Sequence, residues 1–349
     1  EFRRVLFRSR KVIKMKLKLD SSKFNEGLNY LKKDYKIFAP VLIPFKGTFS
    51  DTDVIRYKEV NAFEEMEFAK KANFSPKEVV LPINQVLFYF TEKEFKESDL
   101  DNKKILIFLR ACDINGIKRL DEIYLNNGEE KDYFYKNIRD KVKFALVGCK
   151  ESFRNCFCVS MDSNKTDNYS IGLNIEGDTL YLDIKDSEFE VFNGEATEFN
   201  VDYVTDNLIS VDVPENIDSN EMIGNSIWDE YDTRCIGCGR CNFVCPTCSC
   251  FTMQDIFYKE NENVGERRRV WASCQVDGYT DIAGGNSFRK KQGERMRFKT
   301  MHKIHDFKKR FGYHMCVGCG RCDDACPQYI SFSKCIEKIN DLVISKEEV

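Results

Sequence analysis

Apolar positions in the N-terminal part of the chain alternate between helical spacing and short runs that are typical of buried strands. Residues 20–33 carry apolar side chains at helical spacing after two serines, which predicts an amphipathic helix. Residues 79–90 and 105–109 are short, apolar and rich in Val, Ile and Phe, so they predict strands. The pattern predicts a second amphipathic helix over 114–124, and alternation about a Gly-Asp turn predicts a strand pair over 169–184.

These elements predict an α+β fold in which an α/β-like N-terminal domain is followed by an all-helical dicluster ferredoxin domain. We expect the first domain over residues 15–220 and the second over 221–349, with the weakly patterned segment 212–234 as the linker. Residues 1–14 lack an initiator Met, whereas Met15 opens a more natural start. We interpret 1–14 as a non-native tail left by cloning, with an Arg-rich mitochondrial presequence as the alternative.

Composition narrows the class of protein. Hydrophobic residues make up 42% and charged residues 32%, as in an ordinary globular chain. The longest apolar runs have five residues, whereas a membrane-spanning helix needs about 20. Without residues 1–14, the formal net charge falls from −3 to −8, and a net acidic chain argues against a general nucleic-acid binder. We therefore expect neither nucleic acid nor a membrane as a partner.

Charge is unevenly distributed within the C-terminal half. Residues 162–234 hold 19 Asp/Glu against three Lys/Arg, and residues 265–312 hold 13 Lys/Arg against five Asp/Glu. One interpretation is two solvated faces or charge complementarity within the chain; the other is a basic surface that docks a partner.

Sixteen cysteines are the unusual feature of the composition. Disulfide scaffolds are mostly short secreted chains, whereas this chain has ample core material and no secretory signal. Its cysteines also cluster in tight runs, where neighbours are poorly placed to bridge each other. We therefore expect metal-ligating thiols in a reducing cytoplasm.

The C-terminal part contains the spacing C-x2-C-x2-C-x3-C-P twice, and each run ends in a Cys-Pro pair. This is the spacing of bacterial ferredoxins, in which the fourth cysteine of each run ligates the other cluster of the pair. It predicts two [4Fe–4S] clusters with crossed ligation. The first ferredoxin site comprises Cys235, Cys238, Cys241 and Cys326. The second ferredoxin site comprises Cys316, Cys319, Cys322 and Cys245.

Residues between these cysteines support the prediction. Glycines within the runs permit unusual φ angles and direct N–H groups toward sulfur. They are Gly237, Gly239, Gly318 and Gly320. Arg240 and Arg321 occupy equivalent positions, where they could moderate cluster charge. Zinc is the structural alternative, but a zinc site does not call for a third cysteine and a Cys-Pro in each run.

The spacer between the two runs indicates the type of ferredoxin module. The 70 residues between Cys245 and Cys316 exceed the spacer of a small two-cluster ferredoxin. Because 287–311 has a helical pattern, we expect an all-helical module.

Another set of cysteines follows predicted strands. Cys112 comes after the strand 105–109, and Cys149 after a predicted strand at Phe144–Val147. If these strands are parallel neighbours, their ends and a nearby C-x-C loop converge at one sheet edge. The N-terminal cysteine site comprises Cys112, Cys149, Cys156 and Cys158. It predicts a third [4Fe–4S] cluster, with ordinary buried cysteines as the alternative.

No other chemistry is indicated. We expect the remaining cysteines to pack in the core or support the clusters; they are Cys248, Cys250, Cys274 and Cys335. His302 and His305 lack an H-E-x-x-H context, and no nucleophile–base pair or nucleotide-binding loop is evident. We therefore expect no catalytic residues.

Long segments resemble a known family. They include RACDINGIKRLDEIYL, CKESFRNCFCVSMD, CIGCGRCNFVCPTCSCF and CVGCGRCDDACPQYI. Together they resemble the iron–sulfur subunit of anaerobic sulfite reductase, in a group that includes the iron–sulfur β subunit of cytoplasmic sulfhydrogenases. The resemblance covers most of Met15–Asn340 and shows no departure at the eight ferredoxin-motif cysteines.

The resemblance implies a non-catalytic electron-transfer subunit of an anaerobic, cytoplasmic, NADH-dependent enzyme that reduces sulfite to sulfide. Its clusters would relay single electrons from a flavin/NAD-binding subunit to a sirohaem subunit. The resemblance also favours the third cluster at the N-terminal cysteine site. The alternatives are the sulfhydrogenase β subunit, with the same relay, and a zinc-stabilised scaffold without a redox role.

Overall fold

The structure is a computed structural model that describes residues 15–99 and 101–347. The predicted non-native tail at 1–14 lies outside the described residues. Within the described part of the chain, no helix combines the length and apolarity required to cross a bilayer.

The strands and helices alternate along the first half of the chain. The strands are β1 (Met15–Asp20), β2 (Tyr35–Ile43), β3 (Val54–Glu59), β4 (Asn84–Phe90), β5 (Phe95–Glu97), β6 (Lys104–Leu109), β7 (Val142–Val147), β8 (Ile171–Glu176), β9 (Thr179–Ile184), β10 (Glu195–Ala196), β11 (Phe251–Tyr258), β12 (Asn261–Trp271), β13 (Asp281–Ile282) and β14 (Asn286–Ser287).

Most of the longer helices flank the sheets or follow the ferredoxin motifs. The α-helices are α1 (Ser21–Leu31), α2 (Lys77–Val80), α3 (Ala111–Leu125), α4 (Tyr133–Arg139), α5 (Asp229–Arg234), α6 (Arg240–Phe243), α7 (Gln292–Met301), α8 (Phe307–Phe311), α9 (Arg321–Asp324) and α10 (Phe332–Glu347). Short 3₁₀ turns lie at Phe63–Glu65, Ser187–Phe189 and Ser226–Trp228, and a π-helical segment at His302–Asp306 joins α7 to α8.

A mixed eight-stranded sheet forms the N-terminal body in the order β10-β1-β9-β8-β7-β6-β2-β3. Strands β2, β6, β7 and β8 run parallel, whereas the outer pairs are antiparallel. Side chains of β6 alternate between two cores: Leu106 and Phe108 pack on the α1 side, and Ile107 and Leu109 on the α3 side. Burial on both faces explains the continuous apolar run.

The helices and strands predicted in the N-terminal half are confirmed, with boundaries that differ by a few residues. The helices α1 and α3 and the strands β6 to β9 form where their patterns predict them. The predicted strand at 79–90 begins only at Asn84, and Lys77–Val80 is helical instead. Pro82 lies between the two elements and has no N–H for a strand ladder, so the strand starts after it.

The expectation of an all-helical C-terminal module is wrong. Between the two ferredoxin motifs, β11 and β12 form a long antiparallel hairpin. Strand β12 also pairs with β4, which gives a four-stranded sheet in the order β11-β12-β4-β5. This sheet combines strands from both parts of the chain, and long-range pairing of this kind has no local signal in the helical pattern of the spacer. The division at residue 220 stays a prediction.

Candidate metal centres

All sixteen cysteines are free thiols. The ferredoxin motifs begin in loops that lead into the short helices α6 and α9. All four motif glycines have a positive φ, as predicted. At Gly318, for example, φ is +60°, and the N–H of this residue points to Cys316 Sγ at 3.4 Å. The loops therefore curl around sulfur with backbone donors directed inward, as cluster-binding loops do.

The first ferredoxin site surrounds one cavity. Its four cysteines all line this cavity, which also contacts Met296, Lys299 and Ile330. Cys326, from the second motif, thus lies with the three cysteines of the first motif. The N–H of Ile330 donates to Cys326 Sγ at 3.4 Å. Crossed ligation requires this grouping and stays a prediction.

The second ferredoxin site shows the reciprocal arrangement. Burial raises the pKa of Cys316 to about 12, and the negative charges of Cys245 and Cys319 act in the same direction. Burial likewise raises the pKa of Cys319 to about 11, and Cys245 again contributes. Cys245, from the first motif, is therefore an electrostatic neighbour of the second motif's cysteines. Buried thiols that raise each other's pKa are disposed to share a cation or cluster.

The four cysteines of the N-terminal cysteine site lie together where two parallel strands end; their role as cluster ligands stays a prediction. Strands β6 and β7 are adjacent and parallel, so the residues after Leu109 and Val147 emerge at one edge of the sheet. Cys112, Cys149, Cys156 and Cys158 all line a single cavity at this edge, together with Arg110 and Cys319. The amide of Asn207 donates to Cys158 Sγ at 3.7 Å, and Lys71 Nζ lies 3.8 Å from Cys156 Sγ.

The N-terminal cysteine site and the second ferredoxin site are joined by backbone contacts. The N–H of Phe157 donates to the carbonyl of Gly318 at 2.7 Å. A Cβ placed on Gly318 would lie 2.4 Å from the Phe157 carbonyl oxygen, and one on Gly320 would lie 2.1 Å from that of Asn155. Only glycine permits this approach, so the two cysteine loops pack as one unit.

Buried cations lie among the thiols. Burial lowers the pKa of Lys299, but the negative charges of Cys241 and Cys322 outweigh it and hold this pKa well above its usual value. Burial also opposes the charged form of Lys303, and the charges of Cys245 and Cys248 raise its pKa in the same way. Positive charges at these places would offset the negative charge of a thiolate-bound cluster.

The cysteine groups suit a four-iron cluster better than a single metal ion. Among residues 15–99 and 101–347, no three Cys, His, Asp or Glu side chains form a compact group for a single metal ion. A four-iron cluster does not need such a group, because the cluster itself fills the space between its four cysteine sulfurs. Four soft thiols around a cavity, with N–H donors and buried cations, fit a [4Fe–4S] cluster.

Sequence reasoning missed several charged residues in these sites. Asp113, Lys71, Lys299 and Lys303 were not predicted, although Asp113 directly follows Cys112 in the sequence. An acidic residue beside a candidate ligand was a signal for a buried ion pair. Lysines on α7 and the π-helical segment carried no such signal, because their pattern alone is that of a solvated basic face.

The equivalent arginines of the two motifs lie in different environments. Arg321 is buried and pairs with Asp113, whereas Arg240 is exposed. The other cysteines mostly pack inside: Cys248 is buried near Cys245, and Cys335 lies against the hydroxyl of Thr300 at 3.4 Å.

The three consecutive arginines of β12 all interact with other residues of the same chain. Arg267 bonds to Asp255, Arg268 lies against Glu266, and Arg269 is buried. The guanidinium of Arg269 lies 2.5 Å from Asp132 and donates to Gln85 at 2.8 Å. Charge complementarity within the chain therefore accounts for these three arginines better than partner docking does.

Residues 234–330 match the family model of the 4Fe–4S dicluster domain. The class of protein is thus an iron–sulfur electron-transfer subunit built on a dicluster ferredoxin domain. Among curated proteins, the chain is similar to the sulfhydrogenase 2 subunit beta of Pyrococcus furiosus. The two are 27% identical across 94% of this chain and 99% of the relative. No solved structure matches the chain.

These matches confirm the resemblance at the level of the group. Over nearly its whole length, the chain is similar to an iron–sulfur subunit of the sulfhydrogenase-like group. They support [4Fe–4S] clusters and partner subunits.

Proposed function

We propose that this chain is the electron-relay subunit of a cytoplasmic sulfhydrogenase-type complex and holds three [4Fe–4S] clusters. The clusters would occupy the two ferredoxin sites and the N-terminal cysteine site. Each cluster, when bound, accepts and donates single electrons. The task of the chain is to hold the clusters close together and to set their potentials through hydrogen bonds, burial and charge.

The observation that carries this proposal is the adjacency of the three sites. Cys319 of the second ferredoxin site lines the cavity of the N-terminal cysteine site. Cys322 of the same site lines the cavity of the first ferredoxin site. The second ferredoxin site thus lies between the other two, which supports a linear relay with the second ferredoxin cluster in the middle.

The first ferredoxin site provides one end of this relay near the surface. Cys238 is exposed, and the neighbouring Ile236 is 60% exposed. By contrast, Cys319 of the middle site is buried, and Cys316 and Cys322 are partly buried. An electron can therefore enter or leave at the loop of Cys238 once a partner subunit covers it.

The name of the relative favours the sulfhydrogenase interpretation over anaerobic sulfite reductase, which was the main expectation from the sequence. Both interpretations require the same relay within this chain. They differ in the partner proteins: the sulfite reductase interpretation requires a flavin/NAD-binding subunit together with a sirohaem subunit.

The test of the relay is the content of iron, acid-labile sulfide and zinc in anaerobically purified chain. About 12 irons per chain with matching sulfide is the result expected for three cubanes. About eight irons per chain would show that only the two ferredoxin sites hold clusters and that the N-terminal cysteine site is not part of the relay. Stoichiometric zinc without sulfide would overturn the electron-transfer role.

The test of the complex uses the native assembly purified with its bound subunits. Reduction of the clusters by hydrogen gas, followed by sulfide formation from sulfur, is the expected result. Sirohaem absorption and oxidation of the reduced clusters by sulfite would instead establish the sulfite reductase interpretation.

A further inference from the structure

Two cysteines outside the three cysteine sites, Cys250 and Cys274, meet at the base of the β11–β12 hairpin. Cys250 directly precedes β11, and Cys274 follows the end of β12 by three residues. Phe251 pairs with Trp271 in the ladder, and the N–H of Ala272 donates to the Cys250 carbonyl at 2.9 Å. The two chain ends are thereby held together, and the two thiols are close enough for each to shift the pKa of the other.

Polar groups from three directions surround this thiol pair. The Cys274 sulfur accepts hydrogen bonds from Asn242 Nδ2 at 3.1 Å and from Gln275 Nε2 at 3.7 Å. The hydroxyl of Tyr279 lies near the Cys250 sulfur and lowers the pKa of that thiol. Donors aimed at the two sulfurs stabilise one negative charge on the pair as a whole. An apolar pocket for two structural cysteines would need none of them.

The pair holds one proton between two sulfurs. The hydrogen bond from Cys274 lowers the pKa of Cys250 to about 6, although burial opposes the shift. The bond to Cys250, together with burial, raises the pKa of Cys274. Near neutral pH, one thiolate and one thiol therefore face each other, which is the protonation state that begins thiol–disulfide exchange.

The two cysteines differ in access. Cys250 is partly exposed and lies beside Tyr279, which is 37% exposed, whereas Cys274 is only 4% exposed. A small molecule from solution can therefore reach Cys250 first, and Cys274 is placed behind it. This is the arrangement of an attacking and a resolving cysteine.

We propose that Cys250 and Cys274 form a dithiol–disulfide couple that reacts with low-molecular-weight disulfides. The Cys250 thiolate attacks one sulfur of the small disulfide, whose S–S bond breaks and releases a thiolate. The Cys274 proton passes to that thiolate, and the Cys274 thiolate then attacks the Cys250 sulfur and releases the second small-molecule sulfur as a thiolate, which takes its proton from solvent. The protein dithiol loses two electrons, and the small disulfide gains them as two thiols. The step does not depend on how many clusters the chain holds.

The test exposes the anaerobic, cluster-loaded chain to glutathione disulfide, followed by alkylation and peptide mapping. In the wild-type chain, we expect a Cys250–Cys274 cross-link and release of two glutathione thiols per chain. In Cys274→Ser the resolving thiol is gone, so one glutathione remains attached to Cys250. In Cys250→Ser neither adduct nor cross-link forms, because Cys274 is buried. Iron content should be unchanged in both variants.

Cys335→Ser provides the matched control, because Cys335 is also a buried cysteine outside the three sites. It should form the cross-link as the wild-type chain does. Wild-type chain without a cross-link would overturn the proposal, as would a Cys274→Ser adduct spread over ferredoxin cysteines. Loss of about four irons in Cys250→Ser would also overturn it, since Cys250 would then be a cluster ligand.

Discussion

The guanidinium of Arg321 forms a bidentate ion pair with the carboxylate of Asp113, with N–O distances of 2.6 and 2.9 Å. Both side chains are almost fully buried. Asp113 follows Cys112 of the N-terminal cysteine site, and Arg321 lies between Cys319 and Cys322 of the second ferredoxin site. The pair therefore links two candidate cluster sites that are about 200 residues apart in sequence.

Arg321→Gln should strongly destabilise the chain. The substitution leaves the carboxylate of Asp113 buried without its cation, and such a loss costs about 3–5 kcal/mol. It also removes the hydrogen bond from Arg321 Nε to the carbonyl of Ala72 at 2.9 Å. We expect a lower thermal unfolding temperature and less iron retained by the two adjacent sites, measured by calorimetry and iron assay.

Arg240→Gln is the matched control, because Arg240 holds the same motif position but is exposed. Its unfolding temperature should stay close to that of the wild-type chain, since exposed charges contribute little. Equal destabilisation by both substitutions would contradict a structural role for the buried pair.

With crossed ligation, the last cysteine of each ferredoxin motif binds the cluster of the other motif. Cys326→Ala should damage the first ferredoxin cluster, because Cys326 lines the cavity of Cys235, Cys238 and Cys241. Cys245→Ala should damage the second. We expect each variant to lose about four irons per chain and a different signal in the electron paramagnetic resonance spectrum of the reduced protein. Loss of the second cluster's signal in Cys326→Ala would show that ligation is not crossed.

The sequence was most informative where structure depends on local spacing. The motif cysteines, their positive-φ glycines and the buried strand β6 follow from short patterns that require no knowledge of the fold. The convergence of Cys112 and Cys149 at one sheet edge could also be predicted, because parallel neighbouring strands end on the same side.

Contacts between distant segments could not be predicted. Strand β12 pairs with β4 across roughly 180 residues, as Gln85 opposite Arg269 shows. The ion pair of Arg321 with Asp113 could not be predicted either, because Arg240 and Arg321 have the same local sequence pattern. Burial separates them, because Arg321 reaches Asp113 of α3 whereas Arg240 lies at the surface.

Gly318→Ala should separate the loop of the second ferredoxin site from the loop of the N-terminal cysteine site, which contact each other at Gly318 and Phe157. The residue has a φ of +60°, which costs about 1–2 kcal/mol for a residue with a Cβ. The added Cβ would also lie 2.4 Å from the Phe157 carbonyl oxygen. We expect a lower unfolding temperature and loss of iron from the second ferredoxin site and the N-terminal cysteine site.

Gly128→Ala is the control for that substitution, because a Cβ at Gly128 meets nothing within 4 Å. This variant should keep the iron content and the unfolding temperature of the wild-type chain. If Gly318→Ala retained all its iron, close packing of the two loops would not be needed for cluster binding.

Arginines of β12 should contribute to stability according to their burial rather than as a basic surface. Arg269→Ala removes a cation that is 3% exposed and leaves Asp132 and Gln85 without their partner, so it should destabilise the chain by about 3–5 kcal/mol. Arg267→Ala breaks an exposed pair with Asp255 and should cost at most about 1 kcal/mol. Thermal unfolding of the two variants measures this difference. Affinity of the native complex, measured at low and high salt, should be unchanged by Arg267→Ala; a strong salt-dependent loss would show that this arginine docks a partner instead.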